Sequence, residues 1–313
     1  MSQKIATRDA YGAALLELGR RREDVVVLDA DLSGSTKTER FAAEFPSRFF
    51  NMGISEQDMI GTAAGLALAG KLPFASTFAI FETGRAWEQI RQSICYPKLN
   101  VRLVASHGGI TVGEDGASHQ STEDITVMRV LPNMTVIVPA DATETVAIIN
   151  AIADYKGPVY VRLGRAKVPV IFEEDYRFKI GSAYVLSLGK DVNILATGIM
   201  VSEALRAAEI LRDEKIDAGV INISTIKPLD GETVLKAAKT SRTIVTAEEH
   251  SIIGGLGSAV AEFLSEVFPV LVWRVGIKDR FGCSGTPEGL MKLYEITAED
   301  IVVAAREAMS KKR

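Results

Sequence analysis

The residues with the clearest chemical potential lie in a glycine-rich segment at positions 105–120, which contains two of the three histidines of the chain. It reads Ala-Ser-His-Gly-Gly-Ile-Thr-Val-Gly-Glu-Asp-Gly-Ala-Ser-His-Gln, with four glycines within nine residues. That composition allows a tight loop whose amides approach a ligand. His107, Asp115 and His119 would then share one pocket, where they can exchange hydrogen bonds and protons. A long surface loop with solvated histidines explains this stretch equally well when it is taken alone.

Strands of a parallel sheet must position this segment. The apolar run 101–105 is typical of a buried strand. The glycine-rich segment therefore leaves the carboxyl end of that strand, where open α/β sheets bind their ligands. A second such loop, 30–36, follows the apolar run 25–29 and contains Asp31 and Ser35. Both residues are also common in turns and helix caps, and that structural use is the more frequent one.

Two further charged residues have local explanations that compete with a functional role. Arg8 lies near the start of a helical pattern over residues 7–18, and Gly19 follows as a typical C′ glycine. An isolated arginine in a first turn is usually solvated. Glu56 is expected in the first turn of a helix rich in small residues, where a carboxylate stabilises the helix dipole by only about 0.3–1 kcal/mol. Local patterns alone therefore favour an ordinary role for both.

Composition excludes several classes of function. The chain has 313 residues, 47% hydrophobic and 24% charged, which is typical of globular proteins and long enough for two domains. A net charge of −4 with scattered basic residues argues against nucleic-acid binding. Neither the N-terminus nor the longest apolar window indicates a signal peptide or a membrane span. The only cysteines, Cys95 and Cys283, are far apart, so a reducing compartment is expected, with the cytoplasm as default.

Strands alternate with helices along the whole chain. This alternation predicts an α/β fold of two domains, each an open, mostly parallel sheet with flanking helices. The domains are expected at residues 1–175 and 190–313, separated by a charged stretch without sustained periodicity. His250 precedes a glycine cluster that lacks dinucleotide-binding spacing, and we interpret it as a domain-interface residue.

Several motifs, in this order, resemble the pyrimidine-binding domain of transketolases. They are Gly53-Ile-Ser-Glu-Gln57, Thr77-Phe-Ala-Ile-Phe81, the 106–120 segment, Leu131-Pro-Asn133 and Pro139-Ala-Asp141. A later stretch, Glu249-His-Ser-Ile-Ile-Gly-Gly-Leu-Gly257, resembles the C-terminal domain of the same family. The resemblance covers nearly the whole chain, and it implies a thiamine-diphosphate pyrimidine-binding domain followed by a transketolase C-terminal domain.

The resemblance also implies a second polypeptide. Full-length transketolases begin with a domain that binds the cofactor diphosphate through a divalent metal, using Gly-Asp-Gly followed by Asn. This sequence contains no Gly-Asp-Gly, and few residues precede the first pyrimidine-domain helix. The chain therefore resembles the C-terminal subunit of a split transketolase. A separate N-terminal subunit is expected to carry the diphosphate site and its Mg²⁺ or Ca²⁺, and no metal is expected on this chain.

The resemblance assigns the cofactor side of the site. Glu56 is expected to hydrogen-bond N1′ of the aminopyrimidine of thiamine diphosphate, and this context reverses the local preference for an ordinary helix acid. Phe78 and Phe81 match the aromatic residues around that ring and would exclude water. Asp31 matches a residue near the cofactor at the subunit interface. Where the family usually has tyrosine, this chain has Gly84, which weakens that side of the pocket.

The substrate side follows from the same resemblance. His107 and His119 are expected to line the path to the thiazolium, to hydrogen-bond the donor ketose and to move protons. Asp115 is expected to receive a sugar hydroxyl. The residues that match the family's terminal-phosphate anchors are Arg8, Ser35 and Arg165.

The implied activity is transfer of a two-carbon ketol unit from a ketose phosphate to an aldose phosphate, in the pentose phosphate pathway. The chain is expected to pair with itself within a heterotetramer and to need its N-terminal partner. Alternatives are a 1-deoxyxylulose-5-phosphate synthase-like subunit, which shares Gly-Glu-Asp-Gly, and the beta subunit of a 2-oxo-acid dehydrogenase, which shares the split arrangement. A non-catalytic regulatory homologue is a further alternative, against which the occupied site positions argue.

Overall fold

The computed structural model of the protein describes residues 3–311 and confirms the expected fold class, two mostly parallel sheets with flanking helices. Within that range no helix combines the length and apolar content needed to cross a membrane. The strands of the first half are β1 (Lys4–Ala6), β2 (Val25–Asp29), β3 (Phe49–Asn51), β4 (Leu72–Ser76), β5 (Arg102–Ala105), β6 (Thr135–Ile137), β7 (Val159–Arg162) and β8 (Lys167–Pro169). Its helices are α1 (Thr7–Arg21), α2 (Ser33–Thr36), α3 (Glu39–Glu44), α4 (Glu56–Leu68), α5 (Ala79–Arg85), α6 (Trp87–Gln89), α7 (Asp124–Arg129) and α8 (Ala142–Ala153).

The second half repeats the alternation. Its strands are β9 (Tyr184–Ser187), β10 (Val192–Ala196), β11 (Ala218–Asn222), β12 (Thr225–Lys227), β13 (Thr243–Ser251) and β14 (Leu271–Ile277). Its helices are α9 (Met200–Asp213), α10 (Gly231–Ser241), α11 (Leu256–Val267), α12 (Pro287–Leu293) and α13 (Ala298–Ser310). Short 3₁₀ turns occur at Pro46–Arg48 and Ile110–Val112, and a π-helical turn spans Ile90–Cys95.

The first sheet has seven strands in the order β12-β6-β7-β5-β4-β2-β3. All neighbours are parallel except β12, which pairs antiparallel with β6. Every residue of β2, β4 and β5 is buried, as expected of strands covered by helices on both faces. Because β4 lies between β2 and β5, the loops that follow these strands emerge side by side at one edge.

The second sheet has five strands in the order β14-β13-β10-β11-β9, and only β9 is antiparallel. The two halves are not packed independently. Strand β12 lies in the second half of the chain but extends the first sheet. One hydrophobic core joins Leu28 and Ala75 of the first sheet to Ile221 and Leu256 of the second half. The junction between the halves is therefore a continuous interior.

The expected helix end at Gly19 is wrong, because α1 continues to Arg21. A Cβ at Gly19 would overlap the ring of Phe41, which packs against this turn. The glycine is required for close packing between α1 and α3, not for a left-handed helix cap.

Candidate functional site

Three loops meet at the carboxyl edge of the first sheet. They follow β2, β4 and β5, and the parallel pairing continues beyond the last two strands through a bridge between Phe78 and Ser106. The Ala79 amide donates to the Ser106 carbonyl at 2.7 Å. This pairing places the aromatic segment at the start of α5 directly against the glycine-rich loop. These loops therefore lie at the sheet edge where the sequence predicts a ligand site.

The predicted histidines and aromatic residues form one cluster at this edge. The His107 ring stacks on Phe78 with centroids 3.7 Å apart and planes inclined by 21°. Phe78 in turn stacks on Phe81 at 5.7 Å. His119 lies edge-on to both phenyl rings, at 6.1 Å from Phe78 and 5.4 Å from Phe81. These four predicted site residues therefore form one aromatic cluster, in which Phe78 and His107 are buried.

The protonation state of His107 follows from its two neighbours. The Arg8 guanidinium lies 3.1 Å from Nε2, and Ser106 Oγ lies 2.8 Å from Nδ1. Since a guanidinium only donates, Nε2 accepts, and Nδ1 carries the proton and donates to Ser106. Burial lowers the pKa of His107 to about 3, and the nearby positive charge of Arg8 acts in the same direction. In this arrangement the ring is neutral at physiological pH.

The charges of Arg8 and Arg165 both act on His107, and the Asp115 carboxylate lies beside Arg165. Arg8 also donates to the Ser35 carbonyl at 3.1 Å. Arg165 lies 3.6 Å from the Asp115 carboxylate and donates to the Val112 carbonyl. Burial lowers the pKa of Arg8, and the charge of Arg165 contributes to the lowering, so the two cations are close enough to interact. Paired guanidiniums provide the planar donor sets that fit phosphate oxygens.

Glu56 lies at the first residue of α4, as the sequence predicts, but its contact was not anticipated. The residue is only 4% exposed, and its Oε1 accepts a hydrogen bond from Arg85 Nη1 at 2.7 Å. The Arg85 guanidinium carbon also lies 4.2 Å from the centroid of the Phe81 ring. A shallow opening beside this ion pair is lined by residues 54–58 and Arg85. Arg85 thus links the predicted carboxylate to the aromatic cluster.

Asp31 is exposed and has a left-handed backbone conformation with a φ of 62°. Its carboxylate accepts a hydrogen bond from Asn51 Nδ2 at 3.2 Å. The role expected for Asp31 near the cofactor stays a prediction.

At Gly84 an added Cβ would meet no atom within 4 Å, so open space occupies the place of the family's tyrosine. Among residues 3–311, no group of three or more His, Cys, Asp and Glu side chains is arranged to hold a metal ion.

The second half of the chain supports the glycine-rich loop from behind. Glu249 accepts a hydrogen bond from the Thr111 amide at 2.6 Å, and its carboxylate occupies the space where a Cβ of Gly109 would be. Gln120 Nε2 donates to the Cys283 carbonyl at 2.9 Å and lies 3.1 Å from that of Ile110. Sequence reasoning missed this support. The one available signal was a run of three ionisable residues, 248–250, continuing an apolar strand.

A buried ionic network continues from Glu249 into the interface. Arg162 lies 2.9 Å from the Asp124 carboxylate and donates to the Glu249 carbonyl at 2.8 Å. Glu248 accepts hydrogen bonds from the Leu256 and Gly257 amides, so the chain's own carboxylate occupies the start of α11.

His250 is fully buried and lies 3.4 Å from the Thr126 amide of α7. The structure therefore places His250 between the two halves.

Two family models match the chain in succession: the transketolase pyrimidine-binding domain over residues 3–170 and the transketolase C-terminal domain over residues 181–301. The chain is 53% identical over 307 residues to a putative transketolase C-terminal section of Methanocaldococcus jannaschii, covering 97% of this chain and 96% of that protein. It is 45% identical over 305 residues to a 6-deoxy-6-sulfo-D-fructose transketolase subunit of a Clostridium strain, covering 97% of this chain and 95% of that protein.

A solved structure described as a split-gene transketolase, inactive beta4 tetramer, superimposes with a TM-score of 0.93. It is 56% identical, and the match covers 99% of this chain and 100% of that chain. Both family domains are thus present in succession, and the relative from M. jannaschii, which has a similar length, is named a C-terminal section. The chain belongs to the transketolase family, within the group formed by the C-terminal sections of split transketolases.

Proposed function

We propose that this chain is the C-terminal subunit of a thiamine-diphosphate-dependent transketolase that transfers a two-carbon ketol unit between sugar phosphates. The observation that carries the proposal is the convergence of Glu56, the two stacked phenylalanines and both loop histidines at one sheet edge. A buried carboxylate beside aromatic faces suits a planar nitrogen heterocycle, and imidazoles beside guanidiniums suit a polyhydroxylated anion.

The residues present fit the pyrimidine half of the cofactor. When bound, thiamine diphosphate supplies the nucleophilic carbon that accepts and releases the ketol unit. Glu56 would hold the proton at N1′ of the aminopyrimidine and so favour the tautomer that the reaction requires. Phe78 and Phe81 would pack on the ring and keep water away from the reacting carbon. Asp31 would lie near the cofactor from the neighbouring loop.

The substrate would lie between the histidines and the arginines. His107 is neutral with its proton on Nδ1, so Nε2 is an acceptor for a substrate hydroxyl once Arg8 turns to an anion. His119 and Asp115 would bind the hydroxyls next to the bond that breaks. The terminal phosphate would be held by Arg8, Ser35 and Arg165.

The proposal includes a separate N-terminal subunit that carries the diphosphate site and its Mg²⁺ or Ca²⁺. It is supported by the M. jannaschii relative, which is named a C-terminal section, and by the split-gene transketolase structure, whose tetramer of one chain type is called inactive. The active assembly would be a cytoplasmic heterotetramer in which this chain also pairs with itself, serving the pentose phosphate pathway.

A second candidate substrate is favoured by one relative. The Clostridium protein is named for a ketose with a sulfonate at C6, which is tetrahedral and anionic like a phosphate. The pair of Arg8 and Arg165 suits either group. We propose sugar phosphates as the main substrates because two guanidiniums match the dianionic charge of a phosphate ester better than the single charge of a sulfonate.

The test is reconstitution. A tagged copy of this chain is purified from its own cells with any bound partner, and ketol transfer from a ketose phosphate to an aldose phosphate is measured for the chain alone and for the complex. We expect activity in the complex only. Glu56→Gln should leave assembly intact but slow hydrogen–deuterium exchange at the thiazolium C2 by roughly 10²- to 10⁴-fold, the usual contribution of general acid–base catalysis.

Exchange at the wild-type rate in the Glu56→Gln complex would remove Glu56 from its proposed role. A complex that binds thiamine diphosphate but transfers no ketol unit between sugars would refute the proposed reaction. Comparing phosphorylated and sulfonated ketoses in the same assay decides between the two substrate classes.

A further inference from the structure

Arg85 is the one cation within hydrogen-bonding distance of the Glu56 carboxylate in residues 3–311, and no role assigned above uses it. It ends α5, six residues after that helix begins beside the aromatic cluster. Its guanidinium makes two contacts at once: an ion pair of 2.7 Å with Glu56 and a stack of 4.2 Å on Phe81. Both residues are among those expected to hold the aminopyrimidine ring. Arg85 therefore lies where that ring would bind.

The chemistry of a guanidinium explains why it suits this place. It is planar, positively charged, and presents N–H donors in its plane that fit a carboxylate, while its face packs on an aromatic ring. A protonated aminopyrimidine has the same four properties. One carboxylate and one phenyl face that are complementary to the cofactor ring are therefore complementary to Arg85 as well.

The surroundings allow Arg85 to leave. Its side chain is 50% exposed, whereas that of Glu56 is 5% exposed. It borders the shallow opening formed with residues 54–58, and the neighbouring Gly84 has no side chain to confine it. The Arg85 carbonyl accepts a hydrogen bond from Gln57 Nε2 at 3.1 Å, which anchors the backbone of this helix end to α4. The side chain can therefore swing outward while the backbone remains in place.

We propose that Arg85 is a stand-in for the aminopyrimidine: it occupies the ring's site before cofactor binds and is displaced when the ring arrives. The inference rests on the proposed function. Arg85 keeps the buried charge of Glu56 neutralised in the unloaded subunit, so the carboxylate stays at the site without a cofactor. The displacement lowers the apparent cofactor affinity, because only the fraction of molecules with Arg85 turned away is competent to bind.

The first test is the dissociation constant of thiamine diphosphate, with Mg²⁺, measured by calorimetry on the complex with the N-terminal partner. Arg85→Ala should tighten binding on the order of 10-fold, the combined size of a half-exposed ion pair and one cation–π contact. The matched control is Arg91→Ala, which removes an equal charge from an exposed position in the following π-helical turn. It should leave the affinity unchanged.

The second measurement follows Arg85 itself in the wild-type complex. Stacking on Phe81 should shift the Arg85 Nε–H resonance by the ring current, and saturation with cofactor should return it to the position of an exposed arginine. Weaker binding by Arg85→Ala, binding equal to that of Arg91→Ala, or an Nε–H resonance that does not respond to cofactor would each overturn the proposal. A wild-type complex that binds no thiamine diphosphate would instead refute the proposed function.

Discussion

Replacing Glu249 with glutamine is expected to loosen the glycine-rich loop without touching a residue proposed to contact cofactor or substrate. Glu249 belongs to β13 of the second half, is 3% exposed, and accepts the Thr111 amide at 2.6 Å. A hydrogen bond to a charged group contributes about 1.5–3 kcal/mol and a neutral one about 0.5–1.5 kcal/mol, so the substitution should cost about 1–2 kcal/mol. That loss corresponds to a loop that opens roughly 5–30 times more often.

The assay is amide hydrogen exchange at Thr111 in the isolated chain, combined with urea unfolding. Glu249→Gln should accelerate exchange at Thr111 by the factor above. The control is Glu262→Gln, which breaks an exposed ion pair with Arg129, where less than about 1 kcal/mol is expected. It should leave Thr111 exchange unchanged. Thr111 exchange that is the same in wild type and Glu249→Gln would show that the second half does not hold this loop.

Two further predictions concern the substrate anchor and the interface. In the active complex, Arg165→Ala should raise KM for a phosphorylated aldose by ~10–100-fold, because a charge-assisted contact is lost. KM for a non-phosphorylated aldose should not change. An equal rise in KM for both aldoses would make Arg165 a structural residue. Burial lowers the pKa of His250 to about 4 from the usual 6.5, so as pH falls between these values only the unfolded chain takes up this proton and stability is lost. Between pH 7 and pH 5 the free energy of unfolding of His250→Asn should therefore fall by about 2 kcal/mol less than that of the wild type, measured by urea unfolding. The same fall in both proteins would contradict this.

The order of elements was predictable because its signals are local. The apolar runs before the two candidate loops form β2 and β5, and the loops emerge at the predicted edge. Glu56 begins a helix, as its small-residue pattern indicates. The family followed from motifs at fixed spacing, and the domain models and relatives confirm it. The roles of the individual site residues stay predictions.

Other features could not be read from the sequence because they depend on residues distant in the chain. Gly19 has the appearance of a helix end, but the packing of Phe41 keeps it inside α1. His107 is uncharged at neutral pH because it is buried and because Arg8, ninety-nine positions away in the chain, lies beside it. No periodicity distinguishes Arg85 from other arginines near a helix end.

The sequence by itself determined the alternation of strands and helices, the loops that carry glycine and histidine, and the family, since each depends on neighbouring residues or on short motifs. The tertiary structure decided which charges meet. The ion pair of Arg85 with Glu56 joins segments 29 positions apart, and the hydrogen bond from the Thr111 amide to Glu249 joins segments 138 positions apart. Such contacts arise only when parallel pairing and a shared core bring those segments together, and no local propensity encodes them.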